Sequence, residues 1–130
     1  MTENSLNILV IDDDAGVCKL VQNALTKEGY KVDVCTEAPQ GLQTAVNSKP
    51  DVVVLDVMMP VINGYNVCRL LKTEESTKDI PVILLTSRSE HEDVSIGMDM
   101  GADAYLIKPV DIPELVKTIK LVRSANPNGE

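Results

Sequence analysis

Short apolar runs alternate along the chain with longer segments in which apolar residues recur every three or four positions. The short runs are typical of buried β-strands, and the longer segments are typical of amphipathic helices. Five strands are predicted in this way, at residues 6–11, 31–35, 51–55, 80–85 and 104–107. A helical segment follows each strand, so the pattern predicts five strands and five helices in alternation.

Residues that favour helix ends mark the limits of the helical segments. Gly29 and Gly101 are predicted to end the first and fourth helices, because glycine is common just beyond a helix C-terminus. Pro39 fits the first turn of the second helix. Ser89 and Asp111 are suited to cap the fourth and fifth helices.

Strands that are apolar throughout and separated by helices are typical of a parallel sheet covered on both faces. We therefore predict an α/β fold with a doubly wound five-stranded parallel sheet. The length of 130 residues fits one domain, which we assign to residues 1–124. Residues 125–130 are predicted to be a flexible tail or the start of a linker.

Composition narrows the class of protein. The chain is 44% hydrophobic but contains no Trp or Phe, so Val, Ile and Leu must form the core. No apolar run approaches the length of about 18 residues that a membrane span requires, and the N-terminus lacks a secretory signal pattern. We expect a cytoplasmic protein with no membrane partner. The three cysteines show no disulfide or zinc pattern and are interpreted as small buried residues: Cys18, Cys35 and Cys68.

The net charge of −8 argues against a nucleic-acid partner, because binding to phosphates needs clustered Lys and Arg. Basic residues are instead scattered singly along the chain. The acidic excess suggests that some carboxylates gather where a cation offsets their charge.

Five polar residues follow the predicted strands directly. Asp12 and Asp13 follow the first strand, and the third, fourth and fifth strands are followed by Asp56, Thr86 and Lys108. The carboxyl ends of parallel strands share one edge, and ligands bind there between neighbouring strands at the switch point of the sheet. Taken singly, each residue has a simpler explanation, such as a helix cap or a loop lysine. Together, those explanations require four unrelated coincidences on one edge.

Three adjacent carboxylates repel one another, and a hard divalent cation relieves that repulsion. Mg²⁺ prefers oxygen ligands from a few carboxylates, supplemented by water or phosphate oxygens. Beside such an ion, Asp56 can act as the nucleophile toward a phosphoryl group, while Lys108 and Thr86 contact its oxygens. The sequence therefore predicts magnesium-dependent phosphoryl transfer to Asp56.

Four segments together carry a family resemblance. They are ILVIDDD at 8–14, DVVVLDVMMP at 51–60 with Gly64 beyond it, PVILLT at 81–86 and GADAYLIKP at 101–109. In this order and spacing they resemble the receiver domain of two-component response regulators, over residues 6 to about 123. The resemblance implies a flavodoxin-like sheet with strand order 2-1-3-4-5.

The resemblance also implies a role for each site residue. Asp56 is similar to the phospho-acceptor of the family, and Asp12 and Asp13 to the acidic pair that organises Mg²⁺, with Asp13 the more direct ligand. The backbone carbonyl of Met58 resembles the third protein ligand to the metal. Lys108 resembles the lysine that contacts the phosphoryl group, and its bond to the following proline is expected to be cis.

Thr86 and Tyr105 resemble the switch pair of the family, in which the hydroxyl moves toward the phosphate and the ring turns inward. This movement would alter the surface of the fourth helix, fifth strand and fifth helix, where an output protein would bind. The simpler explanation for Tyr105 is an edge-strand ring packed on the aliphatic stems of Lys or Met side chains. Implied donors are sensor histidine kinases or histidine phosphotransfer proteins of a phosphorelay. The protein is expected to be a monomer or a weak phosphorylation-dependent dimer.

The leading hypothesis is thus a signalling switch that catalyses only its own phosphorylation and dephosphorylation, as in chemotaxis or motility. The alternative is a Mg²⁺-dependent phosphatase or phosphotransferase with an aspartyl nucleophile. Enzymes of the haloacid-dehalogenase type have a second Asp two residues after the nucleophile, where this chain has Met58. A flavin-binding module would need a phosphate loop rich in Ser, Thr and Gly after the first strand, where this chain has three acids.

Overall fold

The computed structural model describes residues 6–57, 64–86 and 101–125. Its strands are β1 (Asn7–Ile11), β2 (Lys31–Cys35), β3 (Val52–Asp56), β4 (Val82–Thr86) and β5 (Ala104–Ile107). Its helices are α1 (Ala15–Lys27), α2 (Ala38–Ser48), α3 (Gly64–Thr73) and α4 (Ile112–Ala125). Helix α4 corresponds to the fifth helix predicted from the sequence. The predicted fourth helix, with its cap at Ser89, lies outside the described residues.

All four strand pairings are parallel, and the strand order is β2-β1-β3-β4-β5. The predicted fold class and strand order are therefore confirmed. Because β1 lies directly beside β3, the residues that follow these two strands meet at the carboxyl edge of the sheet.

Three strands differ from their predicted bounds, and β1 begins at Asn7 rather than Leu6. Strand β4 begins at Val82 rather than Ile80, because the Ile80 amide donates to the Thr77 carbonyl and closes the preceding turn. Strand β3 begins one residue later than predicted and ends at Asp56. Asp56 and Thr86 are therefore the last residues of their strands, not the first residues of the loops beyond them.

The core is mainly aliphatic and lies on both faces of the sheet. Alternate residues of β1 supply the two sides: Leu9 and Ile11 join the cluster under α2 and α3, whereas Ile8 and Val10 join the cluster under α1 and α4. Every residue of β3 and β4 is buried. The three cysteines are free and buried, as predicted. Among the described helices, none is both long and apolar enough to cross a membrane.

Helix ends follow the predicted chemistry. The Asp14 carboxylate caps α1 by accepting from the Gly16 and Val17 amides, and the Asp111 carboxylate accepts from the Glu114 amide at the start of α4. Gly29 has a φ of 98° just after α1, a left-handed conformation that glycine adopts without steric cost. These contacts set both ends of α1 and the start of α4.

The C-terminal end of α2 is the one place in the described residues where a residue other than glycine has a positive φ. Lys49 has φ 48° and ψ 67°, a conformation that costs a residue with a side chain about 1 kcal/mol or more. We expect Lys49→Gly to raise the free energy of unfolding by about 0.5–1 kcal/mol, after allowing for the larger backbone entropy of glycine. Urea denaturation measures the change.

The control for this prediction is Lys27→Gly, in the last turn of α1. Lys27 is helical, so glycine gains nothing there and should lower the free energy of unfolding by about 0.5–1 kcal/mol. An equal loss of stability in both variants would contradict the explanation.

Candidate functional site

The turn between β1 and α1 directs Asp12 into the protein and Asp13 toward solvent. The Asp12 amide continues the sheet by donating to the Cys35 carbonyl at 3.1 Å, and its Oδ1 accepts from the Asp14 amide at 2.9 Å. Asp12 is 0% exposed, whereas Asp13 is exposed. Asp12 therefore lies on the interior side of this turn, and Asp13 lies on its solvent side.

Asp56 lies at the tip of β3, beside Asp12. It is 2% exposed, and the chain just beyond it is held to β4 by a hydrogen bond of 2.9 Å from the Val57 amide to the Leu85 carbonyl. Each of Asp12, Asp13 and Asp56 offers a carboxylate oxygen, and these oxygens all lie within 4.8 Å of one another. The predicted gathering of three carboxylates is present in the structure.

Lys108 bridges the two buried acids. Its Nζ lies 3.0 Å from Asp12 Oδ2 and 3.2 Å from Asp56 Oδ1, and its amide donates to the Thr86 carbonyl at 2.6 Å. Burial on its own would lower the pKa of the ammonium, but the Asp12 and Asp56 carboxylates outweigh burial and raise the pKa above its usual value. Lys108 is therefore a fixed positive charge at physiological pH. The peptide bond between Lys108 and Pro109 is cis, as expected.

The acidic cluster has the chemistry of a Mg²⁺ site. Asp12 Oδ2 is buried and faces the ammonium of Lys108 at 3.0 Å. A carboxylate has about four lone-pair sites on its two oxygens, so Asp12 can contact the ammonium and a metal ion together. Three carboxylates, one of them open to solvent, match the preference of Mg²⁺ for few protein oxygens together with water or phosphate. The residues present therefore fit the ion.

Thr86 and Tyr105 lie on the neighbouring strands β4 and β5. Thr86 is 2% exposed at the tip of its strand. Tyr105 is half-buried, and its ring packs against the core cluster under α2 and α3. This packing is on the core cluster and does not show the contact with Lys or Met side chains of the simpler explanation, and the switching role of the pair stays a prediction. Met58, whose carbonyl is the remaining predicted metal ligand, lies outside the described residues.

Cys18 contributes a hydrogen bond to the candidate site that the sequence did not predict. Its Sγ donates to the Asp12 carbonyl at 3.2 Å from the buried face of α1. Burial and, next, the Asp12 charge raise the pKa of the thiol to about 11, so the thiol keeps the proton that it donates at neutral pH. The absence of a disulfide or zinc pattern predicts that Cys18 is a small buried residue, but no sequence signal indicates this hydrogen bond.

Comparison with known proteins agrees with this geometry. The family model of the response regulator receiver domain matches residues 8–120. The response regulator ArlR of Staphylococcus haemolyticus is 37% identical over 124 residues, which are 95% of this chain and 55% of ArlR. The DNA-binding dual master transcriptional regulator RpaA of Synechocystis is 40% identical over 113 residues, which are 87% of this chain and 47% of RpaA.

The fold also has close counterparts among solved structures. The crystal structure of Vibrio cholerae chemotaxis protein CheY4 has a TM-score of 0.87 and 28% identity, covering 91% of this chain and 98% of CheY4. The chain belongs to the response regulator receiver domain family of two-component signalling. It spans about half the length of the curated relatives ArlR and RpaA, and nearly the whole of the CheY4 structure.

The position of Lys108 between two buried carboxylates makes a prediction about stability. In metal-free protein, Lys108→Met leaves Asp12 and Asp56 without a neutralising charge. Because Lys108 is partly exposed, we expect the free energy of unfolding to fall by about 1–3 kcal/mol, less than for a fully buried pair. Millimolar Mg²⁺ should restore much of this loss, and urea denaturation with and without chelator measures it.

The control is Lys72→Met, which removes a comparable ion pair with Asp103 on another part of the fold. Mg²⁺ should stabilise Lys72→Met only as much as the wild type, so the difference in stability between these two proteins should not change. An equal decrease of that difference in both variants would refute the explanation.

The pH dependence of stability has a defined sign. Because the folded pKa of Lys108 is raised above 10.5, its contribution in metal-free protein is complete below that pH and is lost as pH rises through the folded pKa.

Proposed function

We propose that this chain is a phosphorylation-dependent signalling switch whose acceptor is Asp56. The observation that carries the proposal is the convergence of three carboxylates and Lys108 at the tips of β1, β3 and β5. A phosphohistidine of a sensor histidine kinase or a histidine phosphotransfer protein is the proposed donor. Asp12, Asp13 and Asp56, with the Met58 carbonyl, would hold Mg²⁺.

The arrangement of these residues supports an in-line transfer of the phosphoryl group that needs little movement of their side chains. A carboxylate oxygen of Asp56 attacks phosphorus as the bond from phosphorus to the histidine nitrogen breaks, and the electron pair of that bond returns to the imidazole ring. The Lys108 ammonium, already 3.2 Å from the acceptor, can follow the negative charge onto the arriving phosphate oxygens. Mg²⁺, when bound, supplies further neutralisation of that charge. Thr86 would donate its hydroxyl to a phosphate oxygen.

The signal would leave through the surface of the predicted fourth helix, β5 and α4. Phosphorylation adds about 1.5 to 2 negative charges, which would draw Thr86 inward and free space for the Tyr105 ring. Ile107 of β5 and Leu121 of α4 are exposed apolar residues of the described part of this surface. Such residues suit contact with an output protein or a weak dimer partner.

The relatives bear on the partners of the protein. ArlR is named a response regulator, and this supports a histidine kinase as the donor. RpaA is named DNA-binding, so the expectation of no nucleic-acid partner is not supported.

We assign residues 1–124 to the receiver domain and 125–130 to a tail or linker. A cytoplasmic location and the lack of metabolic turnover belong to the same proposal.

The central test uses a small phosphoryl donor. With acetyl phosphate and Mg²⁺, mass spectrometry should show one added phosphoryl group on the wild type and none on Asp56→Asn. The matched control is Asp51→Asn, an acid just before the opposite end of the same strand, where it accepts from the Asn7 amide at 2.8 Å. This control should be phosphorylated like the wild type. Continuous release of phosphate from many esters would instead favour the aspartyl phosphatase.

A second test isolates the metal. Asp13→Asn should weaken Mg²⁺ binding by at least about tenfold, because even outer partners of metal ligands contribute about 10- to 100-fold. Its exposed position means that the metal-free stability should change little. The control is Asp14→Asn, next in the chain, where Asn still caps α1. Calorimetric titration with MgCl₂ gives the affinities, and equal affinity of all three proteins would remove Asp13 from the site.

A further inference from the structure

The first residue of α3 lies directly against the backbone of the proposed acceptor. Gly64 begins the helix, and its amide donates to the Val57 carbonyl at 2.8 Å. The Val57 amide in turn donates to the Leu85 carbonyl at 2.9 Å. The residue after Asp56 is thus held from two sides, by β4 and by the N-terminus of α3.

The contact at Gly64 leaves no room for a side chain. A Cβ atom there would lie 2.1 Å from the Asp56 carbonyl oxygen, 2.6 Å from Val57 Cα and 2.8 Å from the Asp56 carbonyl carbon. Carbon atoms pack favourably at about 3.5–4.0 Å, so each of these approaches is far inside contact distance. All three atoms belong to the main chain and cannot turn aside as a side chain can.

The need for glycine at this position is steric, not conformational. The described glycines with positive φ are Gly29 and Gly101, and Gly64 is not among them. Its backbone would therefore accept an alanine, which favours helices over glycine. What excludes alanine is the presence of the acceptor backbone at the place where the methyl group would go.

We infer that Gly64 is a positioning residue for phosphorylation of Asp56. By lacking a side chain it lets α3 start in contact with the acceptor backbone, and this contact sets the distance of the carboxylate from Asp12, Asp13 and Lys108. The inference rests on the proposed function, since it assigns Gly64 a role in that same transfer. It adds α3 to the strand tips as an element that determines the reaction geometry.

The test is Gly64→Ala. The methyl group must displace either α3 or the Asp56 backbone by about 1 Å, and a misplacement of that size can reduce a rate by about 10²-fold. We expect the rate constant of phosphorylation by acetyl phosphate, at saturating Mg²⁺, to fall at least about tenfold relative to wild type. The measurement is made at a temperature where denaturation curves show each variant to be folded.

The control is Leu71→Ala, on the same helix. Leu71 is 1% exposed and packs in the core under α3, so its truncation destabilises the helix without placing an atom against Asp56. When folded, this variant should be phosphorylated at the wild-type rate. A merely structural role of Gly64 predicts equal rates for the two folded variants, and that result would overturn the inference. Failure of the wild type itself to be phosphorylated would refute the proposed function instead.

A second measurement uses the unaltered chain and decides the matter if Gly64→Ala does not fold. Amide hydrogen exchange is compared with and without beryllium fluoride and Mg²⁺, which mimic the phosphoryl group at Asp56. Exchange of the Gly64 amide should slow severalfold, because its acceptor is the carbonyl next to the modified residue. The Gly41 amide, which donates to the carbonyl of Glu37 just before α2, is the reference and should not change. Unchanged exchange at Gly64 would overturn the inference.

Discussion

The candidate site is shaped by electrostatic repulsion between carboxylates at the carboxyl edge of the sheet. Three carboxylates have oxygens within 4.8 Å of one another, and two of these acids are buried. Two like charges about 4 Å apart repel by about 4 kcal/mol at an effective dielectric constant of 20. Lys108 offsets part of this repulsion through Asp12 and Asp56 but does not reach Asp13 within ion-pair distance in the described structure. The site therefore stays receptive to further positive charge.

The fold keeps these carboxylates close together by fixing the main chain of the residues that carry them, as well as their side chains. Parallel pairing of β1 with β3 sets Asp12 beside Asp56, and backbone bonds from Asp12 to Cys35 and from Val57 to Leu85 extend that order past the strand ends. The Cys18 thiol and the Asp14 amide then orient the Asp12 peptide and carboxylate. Two acids that would separate in a flexible loop are thus held together by the sheet.

The sequence predicts this arrangement to the level of elements and less well at the level of contacts. Apolar runs locate the strands, and the sequence shows an Asp directly after two of them. Asp12 and Asp56 could therefore be placed on the carboxyl edge of the sheet. The position of Asp56 as the last residue of β3 depends on pairing with β4, which no local pattern encodes. The same holds for Cys18 and Gly64. Their roles come from atoms of Asp12 and Val57 that approach only after the chain has folded.

The contact between α4 and the sheet lies at the amino edge, opposite the carboxylates, and this distance limits how the proposed signal could reach α4. At the amino edge, Asp51 accepts from the Asn7 amide and lies 3.5 Å from the Arg123 guanidinium, which joins the last turn of α4 to the starts of β1 and β3. A strand of five residues is about 17 Å long, so this attachment is distant from Asp56, the proposed acceptor, at the other edge. Any segment continuing from α4 would leave from the edge opposite Asp56. The proposed phosphorylation of Asp56 would then act on such a segment through movement of the helices and of β5, because the segment would begin about 17 Å from the phosphoryl group.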